Sequence, residues 1–464
     1  MICENAIKLK EAISEILSVT YDGVSVLDPM RFRESLIDDL IFTSVFSPDE
    51  DAKKMARWLI RRAAAVVGIF SSSIYTLYEA MGKKELGGFT VPAINIRSLT
   101  YDVSQAILRA AMNHHVGPVI FEIARSEIDY THQRPEEYTC AVTAAAVKCG
   151  YKGPLFLQGD HFQVNAGRYA KDPDKEIRGV KDLIWEAIDG GFYNIDIDSS
   201  TLVNLAKPDV REQQRLNFTI AAELTAVIRD LEPPGVTICV GGEIGEVGGK
   251  NSTVEELRAY MNGYQDELAR HGTELKGIGK ISVQTGTTHG GVPLPDGTIA
   301  KVKLDFNTLE RISEAARSEY GLAGAVQHGA STLPQEAFDR FPAVGTAEVH
   351  LATGFQNIIY DSANFPEKIR DKIYDYLRKE LQIERKEGDT DDQFIYKTRK
   401  KGFGPYKREL WEMPAANRWA LGKELERQFV FLFEKLNVVN TDDLLGQWVK
   451  PVDVPLKVPR SLAD

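Results

Sequence analysis

Eight short apolar runs, separated by amphipathic stretches, constrain the fold more than any other feature of this 464-residue sequence. The runs are VPAIN (91–95), PVIFEIA (118–124), PLFLQG (154–159), FYNIDID (192–198), VTICVGG (236–242), ISVQTG (281–286), AGAVQHG (323–329) and AEVHLAT (347–353). Intervening segments such as YDVSQAILRAAMNHH and DLIWEAIDGG have helical spacing. Strands that alternate with helices in this way are typical of a parallel sheet.

Eight strand–helix units predict an α/β fold of the closed (β/α)8 TIM-barrel type. A doubly wound open sheet is the competing architecture, and the lack of a GxGxxG motif after the first run weakens it. The sequence before and after the barrel is mainly helical in pattern. We therefore expect a helical N-terminal extension (1–88), a barrel catalytic domain (89–360) and a helical C-terminal extension (361–464).

Composition excludes several classes of partner. The formal net charge of -11 argues against binding to nucleic acid or to an anionic membrane surface. No apolar run is long enough to cross a bilayer, and the amphipathic start lacks the features of a secretory signal. The four cysteines are too scattered for a disulfide framework or a thiolate metal site. A cytoplasmic location is the simplest expectation.

Histidines and carboxylates cluster where the predicted strands end, and in a barrel these ends surround the active site. A single histidine near a strand end is most often a hydrogen-bonded structural residue. Three such histidines at separate strand ends favour a metal site instead. Imidazole nitrogen and carboxylate oxygen together suit zinc, with cobalt or manganese as alternatives. The residues concerned are Asp160, His161, Asp198, Glu243, His289 and His328.

Glycine-rich turns follow two of these histidines. His289 precedes Gly290 and Gly291, and His328 begins the segment HGAS. Glycine lets backbone N–H groups approach an anion closely, and barrel enzymes commonly hold phosphate after the seventh and eighth strands. These turns, with the ATG turn at 352–354, therefore predict a phosphate site, although plain tight turns would explain the same residues.

The motifs, taken in order, resemble the class II, metal-dependent ketose-bisphosphate aldolases, of which fructose-bisphosphate aldolase is the best known. The anchors are VPAIN, the pair 160–161, GFYNIDIDSS, EIGEVGG, THGG and HGAS, followed by KKGFGPYKRELW and a long helix. The resemblance runs from about residue 90 to residue 445. The segment LQGDHFQVN is more similar to the partner subunit of tagatose-bisphosphate aldolase than to the usual aldolase sequence.

The resemblance implies a role for each matching residue. His161, His289 and His328 would bind zinc or a similar divalent ion, with Glu243 as a further ligand. Asp160 would be the acid/base at the substrate C4 hydroxyl. Asp198 matches the carboxylate of a second cation site, which could hold a monovalent cation. Substrate-contacting positions would be Asn95, Gly290, Gly329, Ser331, His350 and Thr353, with Lys407 or Arg408 reaching a phosphate from the partner subunit.

The implied reaction is the reversible aldol cleavage of a phosphorylated ketose, similar to fructose 1,6-bisphosphate, to dihydroxyacetone phosphate and an aldehyde. This is a lyase reaction of carbohydrate metabolism, as in glycolysis. The resemblance also implies a homodimer or a higher homo-oligomer.

Several residues depart from the family pattern and keep other functions open. The family's Asn-x-Asp-Thr at the eighth strand reads His350-Leu351-Ala352-Thr353 here, and Ala124 stands where the family has a serine. The loop after Glu243 lacks the usual acid, although Glu255 and Glu256 lie just beyond. The alternatives are a metal-dependent epimerase, an aldolase for another sugar phosphate or sugar acid, and a non-catalytic aldolase-like subunit.

Overall fold

Eight parallel strands form a closed barrel in the computed structural model, which describes residues 2–20, 23–245, 250–286, 294 and 304–463. The strands are β1 (Val91–Asn95), β2 (Ile120–Ala124), β3 (Gly153–Gln163), β4 (Asn194–Asp198), β5 (Cys239–Glu243), β6 (Lys280–Val283), β7 (Ala325–Gln327) and β8 (Glu348–Leu351). Each strand pairs with its neighbours in sequence, and β8 pairs with β1, which closes the barrel. The predicted TIM barrel is confirmed, and every predicted run overlaps one strand.

Long amphipathic helices surround the barrel and bury their apolar stripes against it. The longest of the intervening helices are Thr100–Asn113, Pro135–Cys149, Pro173–Asp189, Val210–Leu231, Val254–His271, Phe306–Tyr320 and Thr353–Asp361. Shorter helical segments are Arg125–Thr131, Ala166–Lys171, Ser200–Leu202, Ala330–Thr332, Gln335–Ala337 and Arg340–Ala343. Local sequence sets the ends of these helices. Asp305, for example, caps Phe306–Tyr320 by accepting from Thr308 N at 3.1 Å.

The N-terminal region contains strands as well as the predicted helices. Its helical segments are Ala6–Ile13, Pro29–Arg31, Phe32–Leu36, Ile37–Phe46, Glu50–Val66 and Tyr75–Gly82. Strands Leu17–Thr20 and Gly23–Val26 pair antiparallel, and Ile69–Ser71 adds in parallel to the start of β3. The N-terminal extension is therefore mainly helical, as predicted, and its short strands LSVT and GVSV show the period of two that suits strands.

The C-terminal region is helical, as predicted. Its segments are Glu367–Glu380, Gln382–Glu384, Asp391–Thr398, Arg399–Gly402, Lys407–Trp411, Ala415–Lys435, Asp443–Trp448 and Arg460–Ala463. An ion pair of 2.9 Å between Arg109 and Glu426 ties the longest of these helices to the helix after β1. The Trp411 ring is stacked on Tyr101, with ring centroids 6.3 Å apart. The C-terminal region therefore packs on the barrel, and the three-domain division stays a prediction.

Within the described ranges, no helix combines the length and the apolar character that a bilayer crossing requires.

Candidate active site

A β-bulge near the end of β3 sets the directions of Asp160 and His161. The pairing of β3 with β4 shifts register between Gly159 and Phe162, so Asp160 and His161 together oppose the single residue Asp196 of β4. The backbone of His161 has a φ of 40°, in the left-handed region that residues other than glycine rarely adopt. Regular strand residues alternate between the two faces of a sheet, whereas a bulge re-aims side chains. The bulge lets two consecutive residues line the same cavity.

Two buried carboxylates lie against the His161 ring. Asp198 Oδ2 is 3.0 Å from His161 Nδ1, and Glu243 Oε2 is 3.2 Å from the same nitrogen. Asp198 is itself fixed, because the hydroxyl of Ser200 donates to it at 2.7 Å and the amide of Gln163 at 2.5 Å. The ends of β3, β4 and β5 thus bring three of the predicted ligand residues together.

His328, directly after β7, completes this group. Its ring centroid is 4.1 Å from that of His161. Asp160 Oδ1 lies 3.9 Å from a ring nitrogen of each of these histidines. The ligand atoms of Asp160, His161 and His328 lie within 4.8 Å of one another, as do those of His161, Asp198 and Glu243. Nitrogen and oxygen donors at this spacing fit a divalent cation.

Two predicted site residues, His289 and Gly290, lie outside the described residues.

The carboxylates and imidazoles of the cluster perturb one another's protonation. Burial, reinforced by the charge of Asp198, raises the pKa of Glu243 to about 8. Burial would also raise the pKa of Asp198, but hydrogen bonds from His161, Ser200 and Gln163 hold it below its ordinary value. For His161, burial opposes the charged ring, but the charges of Asp160 and Glu243 prevail and raise its pKa well above the ordinary value. The raised pKa values mean that the cluster holds protons, and a metal cation that binds there would displace them.

His350 is in direct contact with the same cluster. Its ring centroid is 4.1 Å from that of His328, so three imidazoles stand in a row. His350 Nδ1 is 3.3 Å from Asp160 Oδ1 and 3.0 Å from Glu122 Oε2. Burial raises the pKa of Glu122 to about 7, against the opposing effect of the His350 charge. The sequence predicted a substrate contact here, and the structure adds the pairing with Glu122.

The turns after β7 and β8 form the other half of the site. Gly329 has a φ of 67°, a conformation that glycine adopts without strain. Ser331 Oγ accepts a hydrogen bond from Gly354 N at 3.1 Å, which joins the two turns. Thr353 begins the helix Thr353–Asp361, and the N-terminus of a helix favours bound anions. This half of the site is suited to a phosphate.

A cavity of about 430 Å³ connects the two halves. Eight of the predicted residues line it: Asn95, Asp160, His161, His328, Gly329, Ser331, His350 and Thr353. Asp198 and Glu243 contact the site through His161 instead. The candidate metal ligands and the turns suited to an anion therefore face the same cavity.

Three basic side chains also line the cavity, namely Arg97, Arg125 and Lys400, and sequence reasoning did not find the first and the last of them. The Lys400 ammonium lies 5.7 Å from the centre of the Tyr130 ring. Burial, and next the charge of Arg97, lowers the pKa of Lys400. Lys400 follows the last barrel strand by about fifty residues. The rule that functional residues lie at the carboxyl ends of barrel strands therefore could not identify it. Arg97 was within reach of sequence reasoning, because it lies two residues after Asn95.

Glu127 orients two of these cavity residues. Its carboxylate accepts from Asn95 Nδ2 and, at 2.8 Å, from Arg97 Nε. It also accepts from the backbone of Ala124 at 2.9 Å. Arg97 in turn donates to Thr353 Oγ1 at 3.2 Å, so this buried carboxylate links β1 to the turn after β8.

Lys407 and Arg408 are not among the described residues that line this chain's cavity. Lys407 donates to the His132 carbonyl at 2.6 Å and pairs with Glu137. Arg408 pairs with Glu412 at 2.9 Å on the surface. Their predicted contact with a phosphate in a partner subunit stays a prediction.

Glu256 has a structural role, although the sequence offered it as a nearby acid. Its carboxylate accepts from Thr253 N at 2.8 Å and pairs with Lys250 at 2.7 Å. It therefore caps the helix Val254–His271. Glu255 is exposed to solvent.

The chain matches a known protein family over most of its length. The model of the family described as fructose-bisphosphate aldolase class-II matches residues 76–399, which is more than half of the chain and includes all eight barrel strands. The chain belongs to this family. Its function is therefore of the aldolase type, in a family that typically depends on a divalent metal ion.

Solved structures resemble the chain at low sequence identity. A probable tagatose 6 phosphate kinase from Sinorhizobium meliloti is 18% identical, covers 81% of this chain and 96% of its own length, and has a TM-score of 0.50. A putative fructose-1,6-biphosphate aldolase from Coccidioides immitis is also 18% identical, with coverages of 79% and 97% and a TM-score of 0.46. The fructose-bisphosphate aldolase from Campylobacter jejuni is 18% identical, with coverages of 80% and 97% and a TM-score of 0.47. Likeness at this identity concerns the fold alone.

Proposed function

We propose that this chain is a class II aldolase that uses a divalent metal ion, zinc by preference, to cleave a phosphorylated ketose reversibly. The substrate would be similar to fructose 1,6-bisphosphate, and the products would be dihydroxyacetone phosphate and an aldehyde. The observation that carries the proposal is the β3 bulge. It presents Asp160 to the cavity beside His161 and His328, where an acid/base and metal ligands are needed together.

A divalent ion held by His161 and His328 would supply Lewis-acid stabilisation of the negative charge that develops on the substrate when the C3–C4 bond breaks. The Asp160 carboxylate accepts the proton of the C4 hydroxyl as the aldehyde forms, and returns it in the reverse direction. Asp198 and Glu243 hold the His161 ring from behind, which fixes its orientation toward the cavity.

The substrate phosphate is assigned to the turns after β7 and β8. Backbone N–H groups near Gly329 and the hydroxyls of Ser331 and Thr353 are suitable donors. Lys400, at the wall of the same cavity, supplies positive charge. Binding energy from the phosphate holds the reacting carbons near Asp160, which is how remote contacts accelerate a reaction at a distant bond.

Release of triose phosphate from fructose 1,6-bisphosphate tests the proposal directly. The enzyme is assayed as purified, after chelator treatment, and after Zn²⁺ is restored. We expect cleavage that chelation abolishes and Zn²⁺ recovers. A metal-free chain that cleaves no ketose phosphate would contradict the proposal and favour a non-catalytic subunit.

A second candidate is an aldolase or epimerase for another sugar phosphate or sugar acid. It is favoured by Ala124 and Ala352, which line the cavity where the family carries polar residues, and by the additional Arg125 at the cavity wall. A panel of ketose phosphates and sugar acids separates the two. Metal-dependent turnover confined to a different substrate would select this second function.

A further inference from the structure

Glu122, Asp160 and His350 form a second group of ligand-type atoms beside the His161–His328 pair. One atom from each lies within 4.8 Å of the other two, and all three residues are buried. Glu122 comes from β2, Asp160 from the bulge of β3 and His350 from β8. The group therefore occupies the barrel mouth next to the proposed catalytic ion, and Asp160 belongs to both groups.

His350 makes short contacts with carboxylates that are not hydrogen bonds. Its Nδ1 atom lies 3.0 Å from Glu122 Oε2, yet among the described residues neither ring nitrogen has a hydrogen-bond partner of acceptable geometry. The other oxygen of Glu122 is likewise buried without such a partner. His350 is 4% exposed and Glu122 is fully buried. Buried polar atoms left in this state are costly, and a cation between them would satisfy both.

The remaining atoms of these side chains have outer contacts of the kind that support metal ligands. His350 Nε2 lies 2.6 Å from Glu348 Oε1. Glu122 Oε2 accepts from Gln158 Nε2 at 3.1 Å. A ligating histidine usually has a carboxylate at its other ring nitrogen, and ligating carboxylates are themselves hydrogen-bonded. Glu122 is therefore held as a ligand would be, and Glu348 lies within reach of the ring nitrogen of His350 that a cation would leave free.

The charge of the barrel interior also favours bound cations. The eight strands, all within the described part of the chain, contain six buried carboxylates but a single lysine or arginine, Lys280. The strand residues therefore carry an excess of negative charge that bound cations would offset. The six carboxylates are Glu122, Asp160, Asp196, Asp198, Glu243 and Glu348.

We propose that Glu122, Asp160 and His350 bind a second divalent cation adjacent to the one proposed at His161 and His328. One imidazole nitrogen and two carboxylates select an ion such as Zn²⁺, Mn²⁺ or Co²⁺. This site goes beyond the proposed function, because it depends on Glu122 and His350, the second of which replaces the asparagine that the family usually carries at this strand.

Metal stoichiometry tests the second site. The intact protein is stripped with chelator, dialysed against Mn²⁺ or Zn²⁺, and analysed for bound metal per chain. We expect two ions in the wild-type protein and one in Glu122→Gln and in His350→Asn. The first replacement keeps the size of the side chain, and the second restores the family residue. Glu186→Gln, which alters a surface pair with Arg134, is the matched control and should keep two ions.

A second readout is spectroscopic. Two Mn²⁺ ions in these adjacent sites should show magnetic coupling in electron paramagnetic resonance, and each of the two variants should show an uncoupled Mn²⁺ signal. Circular dichroism confirms that each variant is folded. A single ion in the wild-type protein, or two ions in both variants, would overturn the proposal.

The outcomes separate this inference from the proposed function. One bound ion with normal triose phosphate release removes the second site and leaves the aldolase proposal intact. Two bound ions without cleavage of any ketose phosphate support the second site and count against the aldolase proposal.

Discussion

Lys280 and Glu348 meet inside the barrel, with the Nζ atom of the lysine 2.5 Å from Oε1 of the glutamate. Lys280 also lies 2.9 Å from Asp196 Oδ2 and donates to Gln158 Oε1 at 2.8 Å. Both members of the pair are buried, and the hydroxyl of Tyr78 donates to Glu348 as well. The floor of the active site is therefore a charged network and not the apolar layer that fills many barrels.

Replacing Lys280 with methionine should destabilise the protein by about 3–5 kcal/mol, because Glu348 and Asp196 would remain buried without their cation. Urea unfolding followed by circular dichroism measures this loss. The double variant Lys280→Met with Glu348→Gln should recover part of it, since one of the unpaired charges is gone. Equal stability of the single variant and the wild-type protein would contradict the argument.

His161→Ala and His328→Ala should each lose the proposed catalytic ion and the cleavage activity with it. The reason is that two imidazoles with centroids 4.1 Å apart converge on one cluster. Bound metal is counted after dialysis against Zn²⁺, and activity is followed as triose phosphate release. His271→Ala, at an exposed helix end, is the matched control. Full activity in either of the first two variants would remove the site.

Asp160→Asn should reduce cleavage by about 100- to 10,000-fold while the ion at His161 and His328 is retained, because the amide cannot accept the C4 hydroxyl proton. The measurements are the turnover number and bound metal in the same preparation. Unchanged turnover would assign the base to another residue.

Lys400→Gln should raise the KM for a phosphorylated substrate roughly tenfold, equivalent to about 1.4 kcal/mol, through the loss of one charged contact. Lys401→Gln is a close control, because that neighbouring lysine pairs with Glu384 instead of facing the cavity. Steady-state kinetics on both variants checks the prediction. Equal KM values would place the phosphate away from Lys400.

Glu176 should make stability depend on pH in the acid range. Burial would raise its pKa, but hydrogen bonds from Arg168, Asn165 N and Arg125 prevail and lower it to about 2. A carboxyl whose pKa is lower in the folded than in the unfolded state stabilises the fold when the pH is above its unfolded-state pKa. That stabilisation is lost as the pH falls through its folded-state pKa. Glu176→Gln should therefore cost about 2 kcal/mol at pH 7, allowing for solvent screening, and little near pH 2.

Thermal or urea unfolding between pH 7 and pH 2 tests whether the stabilisation by Glu176 decreases as the pH falls. The difference between Glu176→Gln and the wild-type protein should shrink as the solution is acidified. A difference that grows toward low pH would contradict the assignment of the shift.

The barrel was predictable because its determinants are local. Each strand is a short buried run rich in apolar residues, and such a run needs no knowledge of its neighbours to be recognised. The antiparallel pair of strands Leu17–Thr20 and Gly23–Val26 was missed for a related reason. Two four-residue strands carry a weak alternation that adjacent helical patterns obscure.

Part of the site was predictable from the same information. The rule that barrel strands present functional residues at their carboxyl ends located Asp160, His161, Asp198, Glu243 and His328. It did not place His350 against Glu122, because that contact depends on how strands distant in sequence face one another across the barrel.

The sequence by itself determined which segments become strands and which strand ends carry ligand-type side chains, since both depend on short-range pattern. Tertiary structure alone decided what those side chains touch. Closure of the barrel brings Lys280 to Glu348, and folding of the C-terminal helices brings Lys400 to the cavity wall. Contacts between residues far apart along the chain follow from packing, which no local pattern encodes.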